Sequence, residues 1–347
     1  MLRRTGAPIG GQLELSPAKR IAKSIYKKER IVRSSRRAPK SARNDIMKVP
    51  FSELGSSRLA QGRAINQQHQ FPDEMASMTA KHFLITGAGR GIGRGLSRLL
   101  LSKGNRVFLV DNSTEELTHT AHQLAQNHSR GKDFEVSTTD LRNKSDIQEA
   151  VRSASKFFNG TLDCLVNNAA STSGVGGPHL SDGQSFIDAW HESLETNLTG
   201  PMLMSQACLP MLEKSASQDG NSSSIIHISS TRAIQSELNN EPYSTTKAGL
   251  LGLTQSMAVS LADRHIRVNA ILPGWINVSN ECKAADENGE RWEDGLSKDD
   301  QAWHLTGRVG KVEDMLKAVE YLVQADFATG TEVVVDGGVT RKMVYPE

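Results

Sequence analysis

From residue 81 onward, short apolar runs alternate with longer amphipathic stretches. Short runs rich in Val, Ile, Leu and Phe predict buried strands, and stretches with a period near 3.6 residues predict helices. We predict strands at residues 82–86, 106–110, 134–138, 162–166, 224–228, 266–272 and 332–335. We predict helices at residues 92–102, 114–126, 144–157, 184–211, 242–263 and 312–325.

The alternating order of these elements indicates the fold class. Strands that are apolar throughout, each followed by a helix, indicate a parallel sheet covered by helices on both faces. We predict an α/β protein with one doubly wound (Rossmann) seven-stranded parallel sheet, in a single domain over residues 79–347. Residues 279–304 interrupt the alternation with a polar stretch, which predicts a surface lid.

Residues 1–78 lack this alternation. They are rich in Arg, Lys, Ser and Gln and poor in large apolar residues, so they have little to bury against the entropy cost of folding. We predict a basic, disordered extension on a cytoplasmic protein. Two alternatives stay open. In the first, residues 1–44, which resemble an organelle transit peptide, direct the protein to mitochondria. In the second, the gene model starts too early, since Met75 and Met78 precede the first strand.

The charges and cysteines exclude several classes of protein. Residues 1–50 hold 14 Lys and Arg against 3 Asp and Glu, so the overall +2 conceals a net −9 on the other 297 residues. The basic pI therefore does not indicate a nucleic-acid partner for the folded body. Cys164, Cys208 and Cys282 are too scattered for a disulfide framework or a metal cluster, and they fit a reducing compartment. No apolar run approaches the roughly 20 residues that span a bilayer.

A glycine-rich sequence joins the first predicted strand to the first predicted helix. It contains Gly87, Gly91 and Gly93, which are spaced as in loops that hold the pyrophosphate of a dinucleotide. Gly87 permits a sharp turn, Gly91 lets the backbone approach a phosphate, and Gly93 lets the helix pack close to the sheet. The helix that begins at Ile92 adds free N–H groups and the positive end of its dipole. The loop predicts a site for NAD or NADP.

Residues at the ends of the second and third predicted strands bear on the choice of cofactor. Asp111 lies 24 residues after Gly87, which suits a carboxylate that accepts hydrogen bonds from the ribose hydroxyls of NAD. It would repel the 2′-phosphate of NADP, whereas Arg90 in the glycine loop would attract it. We predict NAD as the preferred cofactor and leave NADP open. Asp140 and Leu141 are candidates to contact the adenine, with loop capping as the alternative for Asp140.

Four polar residues indicate the chemistry. Tyr243 and Lys247 are four residues apart in a predicted helix and therefore share a face. An isolated phenol has a pKa near 10, and an ammonium with an oxidised nicotinamide would lower it enough for Tyr243 to exchange a proton with the substrate. Ser230 ends the fifth strand and would hold the substrate oxygen. Asn197 lies in mid-helix, where an amide is an indifferent helix former. A kink there could hold a water that relays protons to Lys247; the alternative is a plain buried hydrogen-bonding residue.

Together these motifs resemble those of a classical short-chain dehydrogenase/reductase, from about Thr79 to Tyr345. The matching residues are Gly87-x-x-x-Gly91-Ile92-Gly93, Asn167-Asn168-Ala169, Asn197, Ser230, Tyr243-x-x-x-Lys247 and Pro273-Gly274. Two departures are visible: Ala170 replaces a usual glycine, and Asn277, Val278 and Ser279 follow where the family often has a threonine.

The resemblance implies roles for individual residues. Tyr243 is the general acid/base, Lys247 binds the nicotinamide ribose and lowers the tyrosine pKa, Ser230 positions the substrate and Asn197 holds a relay water. It also implies cofactor contacts from Asn168, Pro273 and Ile276. The backbone of Ile276 would contact the nicotinamide carboxamide.

The predicted function is therefore hydride transfer between NAD(P) and a small-molecule alcohol or ketone. The resemblance implies a homotetramer or homodimer built from the helices around residues 184–211 and 242–263. The alternative is a catalytically silent NAD(P)-binding regulatory module. The substrate stays open, because its contacts would come from the loops at residues 170–180 and 231–241 and from the lid.

Overall fold

The computed structural model describes residues 80–219 and 222–343. The strands are β1 His82–Thr86, β2 Arg106–Asp111, β3 Phe134–Thr138, β4 Cys164–Asn167, β5 Ser223–Ile228, β6 Ile266–Pro273 and β7 Glu332–Val335. The α-helices are α1 Gly91–Ser102, α2 Thr114–Leu124, α3 Lys144–Phe157, α4 Gln184–Leu194, α5 Gly200–Asp219, α6 Glu241–Ser260, α7 Lys283–Asn288, α8 Lys298–Trp303 and α9 Val312–Gln324.

All seven strands join one parallel sheet in the order β3-β2-β1-β4-β5-β6-β7. Within the described residues the sheet starts at β1, near its middle, builds outward to β3, and then continues with β4 on the other side of β1. This order confirms the predicted doubly wound fold. The direction of winding reverses between β1 and β4, and in such sheets ligands bind at the carboxyl ends of the strands beside that point.

The two faces of the sheet are buried by different helices. Successive side chains of a strand point to opposite faces. In β1, Phe83 and Ile85 pack into a core with α1, α2 and α9, whereas Leu84 packs into a second core with α3, α5 and α6. Burial on both faces explains why the strands are apolar throughout.

The predicted helix over residues 184–211 is helical throughout, but it is divided by a π-helical turn and runs further than predicted. The chain forms α4, then a π-helical turn at Glu195–Thr199, and then α5, which runs to Asp219. Periodicity does not detect this turn, because its side chains keep a helical pattern on both sides. The turn places Asn197 in the interior, where its amide has partners on other elements.

Smaller differences occur at the ends of elements. Strand β4 begins at Cys164 and not at residue 162, because the buried Leu162 donates its N–H to Met211 O, at 3.1 Å, outside the sheet. Helix α6 ends at Ser260, and a 3₁₀ turn at Ala262–Arg264 follows it.

Some predictions lie outside the described residues. These include the extension over residues 1–78, with its transit-peptide and gene-model alternatives, and the end of the resemblance at Tyr345. In the ranges that the structure does describe, no helix combines the length and the apolar character needed to cross a membrane.

Candidate active site

The predicted site residues lie at the carboxyl edge of the sheet. Thr86 ends β1, Asp111 ends β2, Asn167 ends β4 and Pro273 ends β6, while Ser230 follows β5 by two residues. Because parallel strands end at a common edge, these residues come from distant parts of the chain to one cleft.

The glycine loop is fixed by close backbone packing. Gly87 has φ +65°, and a Cβ there would lie 2.7 Å from the Ala169 Cα. A Cβ on Gly93 would lie 2.1 Å from the Gly87 carbonyl oxygen. The side chain of Asn168 donates to the carbonyl oxygens of Thr86 and Gly87, at 3.0 and 3.1 Å. Asn168 thus braces the loop from the neighbouring strand.

The N-terminus of α1 retains hydrogen-bond donors for an anion. Gly91 has φ +64° and open space above it, since a Cβ there would have Val278 Cγ2, at 3.7 Å, as its nearest neighbour. The Gly91 N–H donates to Glu281 O, at 2.7 Å. In the part of the chain that the structure describes, the N–H groups of Ile92 and Gly93 have no protein acceptor. Such donors at a helix N-terminus suit a phosphate, and the exposed Arg90 lies beside them.

Asp111 is held against the glycine loop. Its Oδ2 accepts from the Gly89 N–H at 2.8 Å, and its Oδ1 accepts from the Ser113 N–H at 2.9 Å. These bonds keep the half-buried carboxylate at the end of β2, beside the loop, where a ribose would lie.

Asp140 has a strong protein partner. Both of its carboxylate oxygens accept from the Arg142 guanidinium, at 2.7 to 3.1 Å, and this partner lowers the pKa of Asp140. The geometry matches the loop-capping alternative, and the carboxylate retains acceptor positions for an adenine amine. Leu141 is buried in the core that α3 and α5 cover.

Tyr243 lies in the first turn of α6. Burial raises the pKa of Tyr243 above its ordinary value, whereas the Ser230 hydroxyl and the positive charge of Arg232 act in the opposite direction. The expectation that Lys247 and an oxidised nicotinamide together lower this pKa stays a prediction; in the protein alone, burial is the largest influence on the pKa. A phenol in this state is protonated at neutral pH and can act as an acid.

Lys247 is fully buried one helical turn from Tyr243. Its Nζ donates to Ile228 O at 2.9 Å and lies 5.4 Å from the centroid of the Tyr243 ring. Burial lowers the pKa of Lys247 to about 8. Burial and the charge of Lys247 lower the pKa of the neighbouring His227 to about 4, so that the imidazole is neutral at pH 7.

Asn197 is completely buried and connects two elements beside Lys247. Its Oδ1 accepts from the Ser171 N–H at 2.7 Å, and its Nδ2 donates to Ser171 O at 3.0 Å and to Thr246 Oγ1 at 3.3 Å. Both N–H donors are therefore used, and one acceptor position remains for a water. The sequence did not indicate Ser171 or Thr246 as partners, because they are 26 and 49 residues away.

The segment after β6 contains backbone groups that do not take part in its pairing with Gly310. Ile276 pairs with Gly310 in an isolated parallel bridge. The bonds of this bridge are made by Trp275 O and the Asn277 N–H, so the N–H and C=O of Ile276 point away from Gly310. Pro273, the last residue of β6, pairs with Val335.

The predicted lid, residues 279–304, is docked on the body at several points. The buried Glu281 carboxylate pairs with Arg98, at 2.5 Å, and with Arg94, at 3.7 Å. Further along, Trp292 Nε1 donates to Gly310 O at 3.3 Å. The sequence indicated a lid but did not indicate these attachments.

Arg232 is a candidate site residue that the sequence reasoning missed. It lies in a 3₁₀ turn, Thr231–Ala233, directly after β5, and its N–H donates to Ser230 Oγ at 3.1 Å. Its charge lowers the pKa of Tyr243. A basic residue two positions after the proposed substrate-binding serine was the available signal.

Within residues 80–219 and 222–343, no group of three or more His, Cys, Asp or Glu side chains is arranged to hold a metal ion. All three cysteines are free thiols, two of them buried.

Comparisons with known proteins agree with this geometry. The family model described as "Enoyl-(Acyl carrier protein) reductase" matches residues 87–340. An uncharacterized oxidoreductase of Thermotoga maritima is 36% identical over 273 residues, which are 78% of this chain and 100% of the relative. A 3-oxoacyl-(acyl-carrier-protein) reductase of Aquifex aeolicus is 31% identical over 263 residues, covering 75% of this chain and 98% of the relative.

Solved structures give the same result. An apo SCOR enzyme from Clostridium thermocellum superposes with a TM-score of 0.62 at 29% identity, over 76% of this chain and 95% of that one. A short-chain type dehydrogenase/reductase from Mycobacterium ulcerans has a TM-score of 0.62 at 25% identity, over 76% of this chain and 90% of that one.

Proposed function

Because the chain belongs to the short-chain dehydrogenase/reductase family, whose members are NAD(P)-dependent oxidoreductases, we propose that it transfers a hydride between NAD(P) and an alcohol or ketone. The observation that carries this proposal is one cluster: the phenol of Tyr243 lies beside the buried ammonium of Lys247, and it is close enough to Ser230 for that hydroxyl to act on its pKa. An ammonium next to a buried phenol stabilises the phenolate that forms when the phenol gives up its proton.

The protein residues handle the proton. In the reducing direction, Ser230 donates a hydrogen bond to the substrate oxygen, and Tyr243 donates its proton to that oxygen as negative charge develops there. The resulting phenolate is stabilised by Lys247 until it is reprotonated, for which we propose a water at the remaining acceptor position of Asn197. In the oxidising direction the phenolate accepts the alcohol proton.

The cofactor pocket fits a dinucleotide. The free N–H groups of Ile92 and Gly93 and the space above Gly91 suit a pyrophosphate. Lys247 would hold the nicotinamide ribose and Ile276 the carboxamide, with Pro273 and Asn168 supporting them. Asp140 would contact the adenine, and Leu141 would do so only through its backbone, because its side chain is buried in the core. When bound, the nicotinamide supplies or accepts the hydride.

We propose that NAD is preferred over NADP. Asp111 lies at the end of β2 with one oxygen on Gly89 and the other on Ser113, so a 2′-phosphate there would meet a fixed negative charge. Arg90 is the residue that would moderate this preference. We also propose a homodimer or homotetramer built from α4, α5 and α6, which cover the helical regions around residues 184–211 and 242–263. We propose a cytoplasmic location as well, which the three free thiols support.

A substrate panel tests the proposed function. The purified chain would be assayed with alcohols and ketones, with NAD(H) and NADP(H) in parallel. We expect turnover with NAD(H), and we expect Tyr243→Phe to abolish it while the Kd for NADH changes little, because the phenol supplies the proton and not the binding energy. Full activity in Tyr243→Phe would refute the assigned role.

The same experiment separates the enzyme from the silent regulatory module. A wild-type chain that binds NADH and turns over no member of a broad panel would favour the module. A kcat/KM for NADPH above that for NADH would refute the cofactor preference and leave the reaction class intact.

A further inference from the structure

Arg232 brings a positive charge to the substrate side of the catalytic residues. The 3₁₀ turn that contains it packs directly after β5, so its backbone N–H fixes the Ser230 hydroxyl at 3.1 Å. Its guanidinium is held by Glu237, and the residue before Glu237, Ser236, bonds Ser244, the neighbour of Tyr243 in α6. A cation held beside the start of α6 suits a substrate with negative charge.

The Arg232 guanidinium is paired with Glu237, and another carboxylate could replace Glu237 there. Nε and Nη2 of Arg232 both donate to a single oxygen, Glu237 Oε1, at 2.9 and 2.6 Å. The side chains are 34% and 49% exposed, and ion pairs this exposed contribute little to stability. The guanidinium also has an Nη1 edge without a protein acceptor among the described residues, and a carboxylate can bind such an edge with two parallel hydrogen bonds.

We propose that Arg232 binds a carboxylate of the substrate, and that the substrates are oxo acids, or the corresponding hydroxy acids, with the carboxylate close to the reacting carbon. Ser230 caps the turn that contains Arg232, so we place the carboxylate of a substrate whose oxygen bonds the Ser230 hydroxyl toward the Arg232 side of that turn. The inference rests on the proposed function, because it concerns the substrate of the same site.

The loop that carries Glu237 is suited to accommodate such a molecule. Asn240 donates to Glu237 Oε1 at 3.3 Å, and Ser236 bonds Ser244 of α6 at 2.9 Å. These contacts hold the loop over the start of α6 independently of Arg232. Glu237 can therefore give up the guanidinium without releasing the loop.

Matched acids and esters test the proposal. Short 2-oxo and 3-oxo acids would be assayed with NADH beside their methyl esters, which keep the carbonyl and lose the charge. We expect the wild-type kcat/KM to favour the acids at least tenfold. We expect Arg232→Gln to lower kcat/KM at least tenfold more for the acids than for the esters, and the additional loss for the acids to appear mainly in KM.

Glu237→Gln is the control variant, because it removes the competing carboxylate and keeps Arg232. It should retain or increase kcat/KM for the acids. Equal losses for acids and esters in Arg232→Gln, or a wild type that prefers the esters, would overturn the inference and leave the proposed function standing. If acids, esters and neutral ketones all fail to react, the proposed function fails and the inference fails with it.

Discussion

At the scale of single residues, burial acts against the charged form of both catalytic groups. It raises the pKa of Tyr243 and lowers the pKa of Lys247 to about 8. The protonated phenol is the form needed to reduce a carbonyl, and the ammonium is the form needed to stabilise the phenolate that follows. Both forms are present together at neutral pH, which favours reduction in the protein as it stands.

The pKa of Lys247 predicts a pH profile. Because its folded-state pKa is lowered, the ammonium is present below about pH 8 and is lost as the pH rises through that value. We expect kcat/KM for NADH, which reports groups of the free enzyme, to fall above about pH 8. Steady-state rates from pH 6 to 10 measure this. A profile that stays flat to pH 10 would contradict the assignment of this step to Lys247. The control variant Lys144→Gln, which changes an exposed lysine, should keep the wild-type profile.

At the scale of elements, the turn from β1 into α1 depends on the absence of side chains. Gly87 needs a left-handed backbone, and Gly93 packs its α-carbon against the Gly87 carbonyl oxygen. Asn168 locks this turn from β4 with two hydrogen bonds. The helix N-terminus is thereby aimed at the cleft with donors still free.

Gly93→Ala is expected to disrupt this element. Its Cβ would lie 2.1 Å from the Gly87 oxygen, so the helix must shift, at a cost of about 1–3 kcal/mol in the free energy of unfolding. We expect the Kd for NADH to rise at least tenfold, measured by fluorescence titration alongside urea unfolding.

Gly104→Ala is the matched control at the other end of α1. Gly104 has φ +81° with nothing within 4 Å of a Cβ, so this change costs about 1–2 kcal/mol of backbone strain and should leave the NADH affinity unchanged. Wild-type affinity in Gly93→Ala would contradict the packing argument.

At the scale of the whole molecule, the strand order creates the site. The order places β1, β4 and β5 side by side, which brings the glycine loop, Asn168 and Ser230 to one edge. Helix α6 then packs across this region and adds Tyr243 and Lys247. On its other side α6 exposes apolar surface, including Val259, which is 80% exposed.

That surface leads to a prediction about assembly. Val259→Glu adds a charge to the face through which we propose self-association, and a charge buried without a partner is costly. We expect light scattering after gel filtration to show a smaller assembly than the wild type. Gln126→Glu, an exposed position on the opposite side of the sheet, adds the same charge and should leave the mass unchanged. An unchanged mass in Val259→Glu would place the interface elsewhere.

The sequence by itself determined the element order, the two-sided sheet and the identities of the motif residues. These follow from local patterns: burial on both faces makes each strand apolar, and the glycines are needed wherever a side chain would clash. The predicted strands match the observed ones within one or two residues, and β1, β3 and β7 match at both ends.

Only the tertiary structure decided the features that depend on distant partners. In the π-helical turn at Glu195–Thr199, Asn197 bonds Ser171 and Thr246, which lie 26 and 49 residues away in the sequence. The pKa of Tyr243 is raised because the fold removes water from the phenol, and no spacing of residues encodes that burial. Arg232 became a candidate for the same reason, since a cation acquires a role only when the folded chain places it beside the reacting groups.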